Sequence, residues 1–240
     1  MEVQDLKCVI LAAGKGRRLE SISKGRYPKC LLKLRGKTIL QYEIDAARAA
    51  GLNDILVVTG YKPETVEKLA SRLGVKTVWN PLSEYAENIL SLAIVRELNS
   101  DIVVINGDVL VPKEVLPLLF SIKQSALVID GWSSDRFDSE AMKVAVDRSG
   151  WITSISKTMP KKDARGEYIG VAMIRFRDMR LLRLAFSELL SSKTFWTWYE
   201  SAFNLMMRNR KVFRTCFLPT GCDWTDIDTP ADYRKALKIV

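Results

Sequence analysis

The sequence predicts one α/β domain: a mixed, mostly parallel sheet flanked by helices. Three observations carry this. Short apolar runs ending at glycine alternate with amphipathic segments through the first half. The second half switches to short strands separated by turns before closing on helices. The 240 residues suffice for one full core and are a little short for two.

Cys8-Val9-Ile10-Leu11-Ala12-Ala13 is short, partly β-branched and stops at Gly14, the pattern of a buried parallel strand. A glycine-rich, basic loop follows over 14–30. From Thr38 to Ala50, the residues Ile39, Leu40, Ile44, Ala47 and Ala50 recur at helical spacing, and Gly51 stands just past the end. Ile55–Thr59 is a second buried strand, Pro63–Leu73 a helix with proline in its first turn, Val75–Trp79 a third strand and Tyr85–Leu98 a third helix. Ile102–Ile105 is a fourth strand, running into Asn106-Gly107-Asp108. Strands then follow at 126–130, 143–147, 152–156 and 170–176, with a hairpin turn at Asp147-Arg148-Ser149-Gly150. Met179–Ser191 and Trp198–Arg208 read as helices, Val212–Leu218 as a strand and Pro230–Lys238 as a last helix. The expectation is a Rossmann-like single domain over 1–240, with halves at 1–125 and 126–240.

Composition is that of an ordinary globular protein, 48% apolar and 27% charged. No window of 18 apolar residues exists, and Met1-Glu2-Val3-Gln4-Asp5 lacks the form of a signal peptide, so a cytoplasmic protein without membrane partners is expected. Cys8, Cys30, Cys216 and Cys222 show no C-x-x-C spacing and read as reduced thiols. The chain has no histidine, which excludes Ser-His-Asp, Cys-His and His-metal chemistry. Carboxylates, Lys, Arg, backbone dipoles and bound metal remain. A net charge of +9 suits nucleic acid, a membrane surface or polyphosphate substrates. The basic residues are spread along the chain, with one cluster at Lys24–Lys37, and this scatter argues against a nucleic-acid face. Few glutamines and many charges lean toward a heat-adapted composition. Homo-oligomer formation is left open.

Leu11-Ala12-Ala13-Gly14-Lys15-Gly16-Arg17-Arg18-Leu19 leaves the first strand. Its glycines let backbone N–H groups approach a triphosphate, and Arg17, Arg18 and Lys29 add positive charge. The alternative is a tight turn with surface arginines. A dinucleotide fingerprint fails because Leu19 stands where a third glycine is required, and a P-loop fails on spacing. With Pro28-Lys29-Cys30-Leu31-Leu32, the segment resembles the signature of the sugar-phosphate nucleotidyltransferase family. The likeness extends over essentially the whole chain. It implies the nucleotide-diphospho-sugar transferase type of fold, with the nucleotide in the first half and the acceptor in the second. It also implies that Arg18 and Lys29 hold the β- and γ-phosphates. Arg17 departs from the family pattern, which often has Thr there.

Asp108 stands beyond the end of a parallel strand, where sites form. Asp226 and Asp228, two apart in Trp224-Thr225-Asp226-Ile227-Asp228-Thr229-Pro230, point the same way if extended. Hard carboxylate oxygens suit Mg²⁺. Alternatively, Asp108 is a turn residue and Asp228 a helix N-cap. The resemblance implies that Asp108 and Asp228 hold the metal, with Asp226 a further candidate.

On the acceptor side the resemblance maps Lys157 near the acceptor phosphate and Glu167 onto its hydroxyl groups; a solvated lysine and a hairpin glutamate are the plain alternatives. The stretch from Asn80 through Tyr85, Asn88 and Ser91 to Leu92 resembles the base-reading segment of the cytidylyltransferase branch, and together with Tyr199-Glu200 it implies CTP. The aromatic cluster Phe195-Trp196-Thr197-Trp198-Tyr199, with Trp132 and Trp224, could cage a trimethylammonium group or belong to the core. An inositol would instead need hydroxyl partners such as Glu167 and Asp130. The expectation is a Mg²⁺-dependent transfer of CMP from CTP to a small phosphorylated metabolite. Inositol 1-phosphate comes first, phosphocholine and hexose 1-phosphates next. A non-catalytic nucleotide-binding regulator is the rival of another class.

Overall fold

The computed structural model describes residues 6–95, 99–131 and 140–240. β1 (Lys7–Leu11) is fully buried and leads into the glycine loop, a 3-10 turn at Arg17–Leu19 and the short helix α1 (Glu20–Ser23). A second 3-10 turn carries Lys29, followed by the two-residue strands β2 (Lys33–Leu34) and β3 (Lys37–Thr38). Thr38 and Gln41 form a capping box that starts α2 (Ile39–Ala49). Then come β4 (Asp54–Thr59), α3 (Pro63–Arg72), β5 (Lys76–Trp79), α4 (Ile89–Ala93), β6 (Ile102–Asn106), β7 (Val109–Leu110) and α5 (Val115–Phe120). The second half holds β8 (Ser125–Gly131), β9 (Lys143–Val146), β10 (Ile152–Ser156) and β11 (Gly166–Ile174). α6 (Met179–Ser191), α7 (Glu200–Met207), β12 (Phe213–Phe217), β13 (Thr225–Asp226) and α8 (Pro230–Ile239) complete it.

Nine strands form one mixed sheet in the order β10-β9-β11-β6-β1-β4-β5, with β8 and then β12 joined to β11. β6, β1, β4 and β5 run parallel, as the alternating pattern predicts, and β11 closes the series antiparallel to β6. One apolar layer lies between the sheet and α4, α6 and α7, and another between the sheet and α2, α3 and α5. A third, small cluster matters most for position. Leu19, Leu32, Leu34, Ile39, Leu110, Ile227 and Ala236 pack together, tying the glycine loop, β7, the segment after β13 and α8 into one unit.

Several boundaries differ from the sequence reading. The third helix is α4 alone: residues 81–88 form turns, and the remainder of the expected helix at 96–98 lies outside the described residues. β11 starts at Gly166 rather than 170, because a bulge between Tyr168 and Ala172 lets one strand absorb Gly170, which has φ 82°. β2, β3, β7, β13 and α5 have too few residues to show a period.

Gly107 follows β6 so closely that a Cβ there would lie 2.5 Å from the Leu11 carbonyl oxygen and 2.7 Å from the Ala12 Cα. Gly107→Ala should therefore cost on the order of 1–3 kcal/mol, read as a lowered thermal midpoint. Gly14→Ala, whose Cβ meets nothing within 4 Å, should leave that midpoint unchanged.

Candidate active site

The site lies beyond the carboxyl ends of β1 and β6, where Leu11 and Asn106 are paired neighbours. Two compartments of about 280 and 340 Å³ share Arg18, Asn88, Asn106, Asp108 and Asp228, and so form one cleft. Leu11, Ala12, Ala13, Gly14, Gly16, Arg17, Lys29 and Ser91 line the first compartment. Lys157, Glu167, Trp198, Glu200 and Asp226 line the second.

Local geometry explains why these groups meet. Gly16 adopts the left-handed conformation at φ 73°, and a Cβ on it would sit 2.7 Å from the Lys29 Cβ. Only glycine lets the Lys29 stem pass beneath the loop. β7 pairs with β13, Val109 opposite Asp226 and Leu110 opposite Thr225, while the Ile227 N–H donates to the Asp108 carbonyl at 2.8 Å. This short ladder brings Asp108 and Asp228 together although 120 residues separate them. Thr229, not Asp228, caps α8: its hydroxyl accepts from the Asp232 N–H, and the Asp232 carboxylate accepts from the Thr229 N–H. The capping alternative for Asp228 is thereby corrected, and its carboxylate faces the cleft.

The Lys29 ammonium donates to Asp108 Oδ2 at 2.6 Å and also to Asp228 Oδ1, and Arg18 donates to Asp228 Oδ2 at 2.5 Å. Burial works against the Lys29 cation, but the two carboxylates outweigh it and raise its pKa above the ordinary value. Burial likewise opposes the Asp228 carboxylate; Lys29 and Arg18 win and hold it below its ordinary range. Asp226 differs. Desolvation and then the charges of Asp108, Asp228 and Asp232 push it up to about 6.

The remaining expectations divide. Ser91 reaches the cavity, but Asn80 does not line it: Asn80 is buried behind, its amide donating to Ser91 Oγ at 3.1 Å. Asn88 lines both compartments and accepts from the Tyr199 N–H at 2.9 Å. Tyr85 is exposed at 71% in the turns before α4. Asp130 also falls outside the lining; its carboxylate accepts from Trp224 Nε1 at 2.8 Å and braces that ring from behind. Lys157 lies with its ammonium 4.5 Å from the Trp198 ring centroid and 3.2 Å from Glu140. Its cation thus stacks on one face of the Trp198 ring. Trp196 is exposed, Tyr199 is fully buried, and Trp132 lies outside the described residues.

Sequence reasoning passed over a buried polar chain. The Tyr199 hydroxyl donates to Asn106 Oδ1 at 2.9 Å and bonds the Tyr168 hydroxyl at 2.9 Å. It fixes Asn106, two residues before Asp108. The only signal was an asparagine closing an apolar strand. Glu87 and Glu140 likewise line the second compartment, which carries more carboxylates than cations. All four cysteines are free thiols. Among the described residues no helix is long and apolar enough to cross a membrane, and no group of three or more His, Cys, Asp or Glu side chains is placed to hold a metal.

Residues 8–142 match the MobA-like NTP transferase domain. A choline-phosphate cytidylyltransferase of Streptococcus pneumoniae is 34% identical over 103 residues, which is 43% of this chain and 44% of that relative. A CTP:phosphoglutamine cytidylyltransferase of Campylobacter jejuni is 26% identical over 95% of this chain and 97% of its own length. Among solved structures, the inositol-1-phosphate CTP transferase from T. maritima superposes with a TM-score of 0.79 at 23% identity, covering 99% of this chain and 96% of that one. This last likeness establishes the mixed, mostly parallel architecture in one domain.

Glu200 provides a pH test. Burial pushes its carboxyl up to about 7, against the opposing influence of Lys157. The folded chain therefore binds more protons than the unfolded chain between the ordinary carboxylate range and about 7, and stability falls as pH rises through that window. Glu200→Gln removes this slope. Its thermal midpoint should gain on the wild type as pH rises to about 7 and level off above. A constant difference across that window in calorimetry would refute the assignment.

Proposed function

The chain belongs to the MobA-like NTP transferase family, and from that membership we propose that it transfers CMP from CTP to a small phosphorylated metabolite, releasing pyrophosphate. One observation supports this above the others. Lys29 and Arg18, from the glycine-loop side, meet Asp108 and Asp228 across a cleft at the ends of parallel strands. A cleft with cations on one wall and carboxylates on the other suits a metal-bound triphosphate. The relatives named as cytidylyltransferases favour CTP.

A divalent cation fits the donor set. Lys29 Nζ bridges Asp108 and Asp228, so their hard oxygens already converge on one positive charge. We assign Asp108 and Asp228 as the residues that would hold Mg²⁺, with Asp226 beside them; bound there, the ion supplies charge neutralisation at the α-phosphate. Arg18 and Lys29 bind the β- and γ-phosphates and stabilise the departing pyrophosphate, with Arg17 at the rim. The acceptor's phosphate oxygen attacks the α-phosphorus; that P–O bond forms as the α–β bridge breaks. Lys157 orients the incoming phosphate and offsets repulsion between the two anions. A phosphate nucleophile is ionised at neutral pH, so no general base is required, consistent with a chain without histidine.

Inositol 1-phosphate is the preferred acceptor. Glu167 and Glu200 offer carboxyl oxygens to hydroxyl groups, and one face of the Trp198 ring is already taken by Lys157. Phosphocholine is the second reading, favoured by the Streptococcus relative.

A pyrophosphate-release screen should decide. It crosses CTP, UTP, dTTP, ATP and GTP with inositol 1-phosphate, phosphocholine, glucose 1-phosphate and aminoethylphosphonate, and should show strongest turnover for CTP with inositol 1-phosphate. Asp108→Asn and Lys29→Met should each lower kcat on the order of a hundredfold to a thousandfold in folded protein. CTP binding without turnover of any pair would identify a nucleotide-binding regulator instead.

A further inference from the structure

One buried acid is unused by the mechanism above. Glu43 lies on the α2 face that carries Ile39, Leu40, Ile44 and Ala47 inward, and it is 0% exposed. Neither of its carboxyl oxygens makes a well-formed hydrogen bond among the described residues, although the backbone N–H of Val109 approaches it. A buried carboxyl so poorly satisfied weakens a fold, so its position calls for a reason other than stability.

The surroundings supply one. α2 packs against both the 3-10 turn that carries Lys29 and the strand β7 that follows Asp108. The groups that act electrostatically on the Glu43 carboxyl are Asp108, Lys29 and the backbone N–H of Val109, and Glu43 in turn acts on the thiols of Cys8 and Cys30. It is therefore close to the Lys29–Asp108 pair, yet it is fully buried and lines neither compartment of the cleft. Burial, and then the charge of Asp108, raises its pKa well above the ordinary value.

We propose that Glu43 is a positioning residue of the nucleotide site: wedged between the turn bearing Lys29 and the strand after Asp108, it sets the separation of these two groups. The consequence for catalysis rests on the nucleotidyl-transfer reading; the positional claim does not.

Two kinds of substitution separate this from a packing role. Glu43→Gln keeps the shape and a carbonyl oxygen, whereas Glu43→Leu keeps bulk without polarity. The leucine variant should have a raised thermal midpoint, since a poorly satisfied buried polar group is gone, yet a kcat lowered about tenfold or more with little change in KM for CTP. The glutamine variant should retain most of the wild-type kcat. In a crystal structure of the ligand-free leucine variant, the Lys29–Asp108 contact, 2.6 Å here, should open. Should leucine not be tolerated, Glu43→Met makes the same comparison. A leucine or methionine variant with wild-type kcat, or with that contact intact, overturns the proposal. If the wild type turns over no triphosphate, the nucleotidyl-transfer reading fails by itself, and the crystallographic contact alone decides the role of Glu43.

Discussion

The site depends on one shared ammonium. Asp108 and Asp228 both carry negative charge on the same side of a cleft, and without compensation they would repel each other. Lys29 bridges them, and Arg18 takes the remaining oxygen of Asp228. Much else in the local structure serves this meeting. Gly16 gives passage to the lysine stem, Gly107 brings the end of β6 against β1, and the cluster around Leu19, Leu110 and Ile227 fixes the glycine loop relative to the late carboxylates. The same charges that would engage a triphosphate and its cation are paired with one another.

The electrostatics of the cleft run opposite to those of the whole chain. The protein is net basic, yet the second compartment is lined more by carboxylates than by cations. Its cations are committed: Lys157 to Glu140 and the Trp198 ring, Arg18 to Asp228, and Lys235 to the Trp224 ring. Glu200, buried against this compartment with one oxygen unpartnered, is raised by burial to where it exchanges its proton near neutrality. Such a lining accepts hydrogen bonds from hydroxyl or ammonium groups better than it accepts further anions.

What was legible in the sequence follows from physics. β1, β4, β6 and α2 were readable because runs of Val, Ile and Leu or a helical stripe repeat often enough to show a period. The glycine loop and the Asn106-Gly107-Asp108 turn were readable because their positions follow from strand ends. β7 and β13 were not, since two residues carry no period and their pairing spans more than a hundred residues. Asn80 and Asp130, expected to bind nucleotide and acceptor, do not line the cleft, because sequence spacing cannot tell a residue that faces a cavity from one that braces a neighbour that does. Glu43 was passed over for the opposite reason: a lone acid on an apolar helical face blends into the stripe around it.

The two-residue ladder between β7 and β13 has a consequence for how the molecule comes apart. The nine-stranded sheet does not include it, and α8 leans on the small cluster rather than on the two main apolar layers. Stability within a fold is uneven, and small peripheral units open before the centre does. The segment bearing Asp226 and Asp228 is therefore expected to open before the parallel strands unfold. The Ile227 amide, tied to the Asp108 carbonyl, would then exchange with solvent hydrogen well before the amides of Val103 to Ile105.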